Sequence, residues 1–140
     1  MTGWLLDTNV LSELRRPRPE PKVVRFVAGI PRDLLYVSVI TFSEIRFGIE
    51  LLKDEGRRME LSAWLSNTLR PMFSDRTLDI TEDIMLRWRL LVEEGRKRRH
   101  TFSQPDLIIA ATALHYGLTI ASRDTSEYEI ARAPVINPWV

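Results

Sequence analysis

The chain reads as an α/β fold in which a short, mostly parallel central sheet is flanked by helices on both faces. Three observations predict it. Short apolar runs alternate along the chain with longer segments of helical apolar spacing, the order that βαβ units produce. The runs at Trp4-Leu5-Leu6, Leu34 to Ile40 and Leu118-Thr119-Ile120-Ala121 are largely apolar rather than strictly alternating with polar residues, as strands buried on both faces are. At 140 residues, 44% of them apolar and 28% charged, the sequence is sized for one substantial core, so residues 1–140 are read as a single domain.

Trp4-Leu5-Leu6 is the first strand, ending at Asp7, and Thr8 to Leu14 follows with helical spacing. Arg15 to Pro21 holds three prolines and breaks the helix; Val23, Val24, Phe26 and Val27 then mark a short second one. Leu34 to Ile40 is rich in β-branched and aromatic residues and reads as a buried strand. Thr41-Phe42-Ser43-Glu44 has the form of a capping box opening a helix that carries Ile45, Phe47, Ile49, Leu51 and Leu52 and ends near Gly56. Residues 57–70 give another helix, which Pro71 is expected to end. Arg76 to Ile80 is a short strand, and Thr81 caps a long helix whose tail is the basic run Arg96-Lys97-Arg98-Arg99-His100. Pro105 suits a first helical position; Asp106 to Leu114 is apolar nearly all round, so that helix is expected to be central and to stop at Gly117. Leu118 to Ala121 is a buried strand leading to Ser122-Arg123-Asp124, and Pro134 to Pro138 supplies the last one.

Composition narrows the chemistry. There are no cysteines and two histidines, His100 and His115, which leaves neither disulfides nor thiolate zinc sites, and makes oxygen the donor for any metal. No apolar run is long enough for a membrane span. Met1 to Asp7 lacks the basic and apolar regions of a secretory leader, so a cytoplasmic protein without membrane association is expected. The formal charge is +1 from 20 basic and 19 acidic residues; with four candidate site acids set aside, the remainder is mildly basic, a balance suited to an anionic polymer approaching an acidic site.

Those four acids are Asp7, Glu44, Asp106 and Asp124. In a parallel sheet ligands bind outside the carboxyl ends of the strands. Asp7 and Asp124 fall at such ends, while Glu44 and Asp106 fall in the first turns of helices expected to begin at the same edge. Each also has a plain structural reading: Glu44 as the fourth residue of the capping box, Asp106 as a first-turn acid favoured by the helix dipole, Asp7 and Asp124 as turn residues. Gathered in one pocket they repel, by about 4 kcal/mol for a pair ~4 Å apart at an effective dielectric near 20. A bound cation reverses that penalty. All-oxygen ligation favours Mg²⁺ or Mn²⁺, and a hard cation in an open acidic pocket is suited to hydrolysing phosphodiesters. Thr8 and Ser43 are candidates for orienting a carboxylate or a water, and Asn9 for fixing the turn after the first strand. Trp4, Trp64, Trp88 and Trp139 are read chiefly as packing residues. There is no phosphate-binding Gly-rich loop and no Gly-x-Ser-x-Gly elbow.

The motifs around these acids, Leu-Leu-Asp7-Thr-Asn-Val-Leu-Ser-Glu, Thr-Phe-Ser-Glu44-Ile-Arg-Phe-Gly, Asp106-Leu-Ile-Ile-Ala-Ala-Thr-Ala and Ala-Ser-Arg-Asp124, resemble in order and context those of PIN-domain ribonucleases of the VapC type, the toxins of bacterial toxin–antitoxin pairs. The closing Val-Ile-Asn-Pro-Trp is similar to the FitB branch. The resemblance spans essentially the whole chain. It implies a PIN-like fold and a Mg²⁺- or Mn²⁺-dependent endoribonuclease in which Asp7 and Asp106 are the direct metal ligands and Glu44 and Asp124 complete the catalytic pocket. It also implies a homodimer, an RNA substrate, and a small VapB-like antitoxin that blocks the active site and carries the complex to operator DNA. Many relatives carry Asn where Asp124 stands and a fourth acid slightly later, in the region where this sequence has Tyr128. Two other functions stand beside this one. An aspartyl-phosphate phosphatase also places an Asp after the first strand, though it wants a second Asp where Asn9 stands; a non-catalytic interaction module would use the acids only for a structural ion.

Overall fold

The computed structural model describes residues 3–140; Met1 and Thr2, which open the stretch read against a secretory leader, lie outside them. The strands β1 (Trp4–Leu6), β2 (Leu35–Ser38), β3 (Thr77–Leu78), β4 (Thr119–Ala121) and β5 (Val135–Ile136) form a sheet in the order β3-β2-β1-β4-β5. Every pairing in it is parallel.

The central strand explains the two-sided core. Successive strand residues point to opposite faces, and both Leu5 and Leu6 are completely buried. Leu5 joins Leu107, Ile109, Ile120 and Tyr128 on one face; Leu6 joins Val10, Val37, Phe42 and Ala121 on the other. Burying each leucine is worth about 1.5–3 kcal/mol, which explains why this run is apolar throughout. The Leu6 face is covered by α1 (Thr8–Arg15), α2 (Pro21–Ala28), α3 (Val39–Glu50) and α4 (Glu55–Trp64), and the Leu5 face by α6 (Glu82–Lys97), α7 (Gln104–Tyr116) and α8 (Ser126–Ile130). A short α5 (Arg70–Met72) precedes β3. No helix of the described residues is long and apolar enough to cross a membrane.

Several boundaries differ from the sequence expectation. The strand expected to run to Ile40 stops at Ser38, whose Oγ accepts the Ile40 N–H at 3.2 Å and caps α3. The expected capping box at Thr41 to Glu44 is therefore absent, because Ser38 supplies the capping oxygen three residues earlier and core contacts outweigh the weak helix preference of Val39 and Ile40. Glu44 lies in the second turn of α3, free of that role. The same helix ends at Glu50, since Asp54 caps a new one by accepting the Arg57 N–H.

Pro71 does not end the helical segment that precedes it. Leu65–Leu69 forms a π turn in which the Arg70 N–H reaches the Leu65 carbonyl, and this widened turn carries the chain into α5, where Pro71 sits in the first turn and needs no N–H partner. The α7 helix begins one residue earlier than expected, at Gln104, which still leaves Asp106 in its first turn, and Gly117, at φ 67°, closes it in the left-handed conformation. The helix α8 had no counterpart in the sequence reading, being only five residues long and mostly polar.

The basic tail of α6 is tied down. Arg98 Nη2 donates to the Ile130 carbonyl at 2.8 Å and His100 Nε2 lies 3.2 Å from Glu127 Oε2, so two residues of this run hold α8 in place. Gly95 sets how closely the following segment passes. A Cβ there would lie 2.8 Å from Phe102 Cε2 and 2.9 Å from the His100 carbonyl oxygen. Alanine normally gains about 1 kcal/mol over glycine inside a helix, but a clash with a fixed backbone oxygen costs about 1–3 kcal/mol. Gly95→Ala is expected to lower stability on balance, seen as an earlier midpoint in urea denaturation with an unchanged slope.

Candidate active site

The site begins with strand register. Leu6 pairs with Ala121, so Asp7 and Ser122 leave the sheet side by side, and the Asp7 N–H still donates to the Ala121 carbonyl at 3.0 Å. Asp7 caps α1, its Oδ1 accepting the Thr8 N–H at 2.8 Å. Its Oδ2 accepts two hydroxyls, Ser122 at 2.8 Å and Tyr128 at 2.7 Å. Three donors to one carboxylate with only 8% of its residue exposed offset the cost of burying the charge and fix its orientation.

Ser122 is the hub of the next layer. Its Oγ also accepts Asn9 Nδ2 and the Asp124 N–H, each at 3.1 Å, while Asn9 Oδ1 accepts the Arg123 N–H at 3.2 Å. Asn9 therefore does more than shape the turn after β1: it locks the start of α1 to the chain leaving β4. That lock also presents Asp124, which is exposed at the rim.

Asp106 arrives from the opposite side, on the first turn of α7. The Tyr128 hydroxyl stands 3.3 Å from Asp106 Oδ1 as well as 2.7 Å from Asp7 Oδ2. Two carboxylate oxygens that share one hydroxyl lie at most about 6 Å apart, where unit charges repel by about 3 kcal/mol at an effective dielectric near 20. Burial pushes the Asp106 carboxyl above its ordinary value, with the charges of Asp7 and Asp124 adding to the effect and hydrogen bonding from Ser103 and Tyr128 opposing it. Tyr128 is completely buried, and burial together with the two neighbouring carboxylates holds its hydroxyl well above its usual range. It is a neutral donor at any physiological pH.

Asp7, Glu44, Asp106 and Asp124 line one cleft of about 440 Å³, together with Thr8, Asn9, Ser12, Ile40, Thr41, Ser103, Pro105 and Ile109. Its lining holds four acids and no basic side chain. Glu44 reaches it from the second turn of α3, where it forms no side-chain hydrogen bond among the described residues. Thr41, one turn earlier, is completely buried with its hydroxyl unpartnered. Ser43, expected near the acids, is exposed and faces a separate hollow beside Arg46 and Arg70, because the earlier start of α3 turns it away. The sequence reading assigned no role to Ser122 or Tyr128, and read Thr41 only as the opening of a capping box. Ser122 is signalled only by its place in Ala-Ser-Arg-Asp, and Tyr128 by being the single aromatic in a polar segment.

The donor set suits a hard cation: every charged group facing the cleft is a carboxylate, and the hydroxyls of Thr8, Ser12, Thr41 and Ser103 are further oxygen donors. Among the described residues no three Asp, Glu or His side chains stand close enough together to hold a metal ion by themselves.

The chain is similar to known proteins along nearly its whole length. A family model described as the PIN domain matches residues 4–133. The chain is 34% identical to the Toxin FitB of Neisseria gonorrhoeae over 135 residues, which cover 96% of this chain and 97% of that one. It is 33% identical to the VapC ribonuclease Y4jK of Sinorhizobium fredii over 135 residues, 96% of each chain. Its fold superposes on FitAcB from Neisseria gonorrhoeae with a TM-score of 0.91 at 34% identity, covering 97% of this chain and 98% of that one. It also superposes on FitAB bound to an IR36 DNA fragment, with a TM-score of 0.90 at 32% identity over 98% of this chain and 96% of that one.

The raised pKa of Asp106 has a thermodynamic sign. Between its ordinary value and its raised folded value the folded protein binds the extra proton, so this group's contribution to stability falls as pH rises through that window. In the presence of a chelator, Asp106→Asn is expected to melt above the wild type at neutral pH, with the gap narrowing on acidification toward the ordinary carboxylate range. Thermal melts of both proteins across that range check it; a gap that widens on acidification would contradict it.

Proposed function

The chain belongs to the PIN-domain family, and from that premise we propose that it is a Mg²⁺- or Mn²⁺-dependent endoribonuclease acting as the toxin of a type II toxin–antitoxin pair, with residues 1–140 serving as one PIN domain in the cytoplasm. The observation that carries this reading is the cleft lined by Asp7, Glu44, Asp106 and Asp124 with no opposing basic residue. Asp7 and Asp106 are the proposed metal ligands. A bound divalent ion lowers the pKa of a coordinated water and neutralises charge developing on the phosphoryl oxygen. Asp7 enters with its orientation already fixed by Thr8, Ser122 and Tyr128, so little reorganisation is needed at the moment of reaction. Glu44, at the cleft wall and without a side-chain hydrogen bond among the described residues, is our candidate to accept the proton of an attacking water. Asp124, held through its backbone by Ser122, completes the acidic rim.

The partner follows from the same cleft. It continues along α1 and α3 into a hollow bounded by Thr8, Ser12, Arg15, Glu44, Gly48 and Trp64. We assign this hollow to the tail of a small antitoxin, with a basic side chain reaching the acids and operator DNA held through the antitoxin. Similar proteins described as FitAB bound to an IR36 DNA fragment and as a toxin-antitoxin complex from Klebsiella pneumoniae support a protein partner and DNA, while the choice of hollow is our own. The phosphatase reading finds no acid two residues after Asp7: Asn9 stands there, committed on both its polar atoms to Ser122 and Arg123.

Antitoxin-free protein is expected to cut structured RNA with Mg²⁺ or Mn²⁺, and Asp7→Asn or Asp106→Asn to lose more activity than the roughly 10–100-fold typical of changes outside the ligand set. Unchanged cleavage by both variants would place the chemistry elsewhere. For the homodimer, the exposed leucines Leu86 and Leu90 on α6, at 59% and 61% exposure, are the apolar face we assign to the second copy. Light scattering after size exclusion is expected to give a dimer for the wild type and a monomer for the Leu86→Asp, Leu90→Asp double variant.

A further inference from the structure

A buried tyrosine hydroxyl is costly unless it finds a partner, by about 1–3 kcal/mol, and phenylalanine would fill the same space without it. Tyr128 is the largest completely buried side chain among the described residues. Its single hydroxyl proton goes to Asp7 Oδ2 at 2.7 Å, with Asp106 Oδ1 at 3.3 Å a weaker second acceptor, and the hydroxyl has no other partner among the described residues. Ser122 donates to the same Asp7 Oδ2 at 2.8 Å. The Asp7 carboxylate is thus divided into two unlike oxygens. Its Oδ2 carries two hydroxyl donors, whereas Oδ1 carries only the Thr8 N–H at 2.8 Å and retains coordinating capacity.

We propose that Tyr128 and Ser122 form a hydroxyl clamp that fixes the orientation of Asp7, leaving Oδ1 the oxygen with room for a divalent ion, and that Tyr128, standing between Asp7 and Asp106, helps set the separation of the two carboxylates that would hold it. Both are positioning residues, acting through the acids they hold. A hydroxyl at this place orders the acids without adding a further negative charge to a cleft that already holds four. The clamp is rigid because α8 is pinned to the tail of α6 by the Arg98 contact with Ile130 and the His100 contact with Glu127, while Ser122 is held by Asn9. Loss of the hydroxyl frees Asp7 to rotate and Asp106 to swing away, and each movement weakens a shared ion.

This inference rests on the metal-dependent nuclease reading, and one experiment separates the two. Mn²⁺ binding is followed by the electron paramagnetic resonance signal of the free ion, and RNA cleavage is measured against Mn²⁺ concentration, for the wild type, Tyr128→Phe and Ser122→Ala. The clamp predicts a roughly 10–100-fold weaker Mn²⁺ affinity for Tyr128→Phe, a matching displacement of the cleavage curve to higher Mn²⁺, and an unchanged KM for RNA at saturating metal. A purely structural tyrosine would instead lower the melting temperature and leave Mn²⁺ affinity alone. Should Tyr128→Phe fail to give a folded circular dichroism spectrum, Ser122→Ala answers for the same oxygen, with weaker Mn²⁺ binding expected. Wild-type protein that binds Mn²⁺ and cleaves RNA, beside folded variants of unaltered Mn²⁺ affinity, overturns the clamp alone. Wild-type protein that neither binds Mn²⁺ nor cleaves RNA overturns the nuclease reading and the clamp with it.

Discussion

The hydrogen bond from Ser122 Oγ to Asp7 Oδ2, 2.8 Å long, joins residues 115 positions apart in the chain, and it exists because β1 and β4 are neighbours in parallel register. From that contact the site extends outward. Asn9 reaches Ser122 from α1, the Asp124 N–H reaches it from the chain leaving β4, and Tyr128 shares its acceptor from α8. Strands that pair in parallel all present their carboxyl ends on one side, so a single register decision places a cap, a turn and a buried tyrosine around one carboxylate. Leu5 and Leu6, buried in opposite halves of the core, are what make that register hard to change: a one-residue slip would exchange the two faces.

Electrostatics then sets what such a site can be. Four acids line the cleft without a counter-ion side chain, and the protein answers in two ways. Asp7 accepts three neutral donors, whereas burial, with the charges of Asp7 and Asp124 adding to it, pushes the Asp106 carboxyl upward. The inequality is informative. A buried acid with full hydrogen bonding is stable as it stands, whereas one facing like charges gains from a nearby cation. The two proposed ligands are therefore not equivalent: Asp7 is held by donors of its own, and Asp106 would gain more from a bound cation.

Much of this was legible in the sequence, for stated reasons. Apolar runs such as Trp4 to Leu6 and Leu118 to Ala121 gave the parallel sheet because strands buried on both faces cannot afford polar alternation. The four acids stood out because the sequence reading set each where a strand ends or a helix starts, although Glu44 lies in the second turn of α3. Boundaries were harder. Thr41 to Glu44 has the local form of a capping box, yet Ser38 offers the same oxygen at the true end of β2, and local pattern cannot rank two caps three residues apart when strand register makes the choice. Pro71 reads as a helix stop because a π turn leaves no mark in composition. The roles of Ser122 and Tyr128 were hidden for another reason: each lies more than 100 residues from the Asp7 it binds, and no periodicity encodes a contact across the sheet.

The same arrangement couples stability to occupancy. Repulsion among the acids is a cost the folded chain carries whenever the cleft lacks a cation, and the donors to Asp7 from Thr8, Ser122 and Tyr128 limit how far that carboxylate can move to relieve it. A ligand that binds only the folded state returns free energy by RT ln(1 + [L]/Kd). Each tenfold loss of affinity at saturating ligand therefore removes about 1.4 kcal/mol of stability. Under the proposed function, a basic antitoxin side chain entering the cleft would relieve the same repulsion as a cation, so the two would compete for one electrostatic deficit. Inhibition would then need no conformational switch, only a neutralising charge from a peptide in place of an ion that activates water.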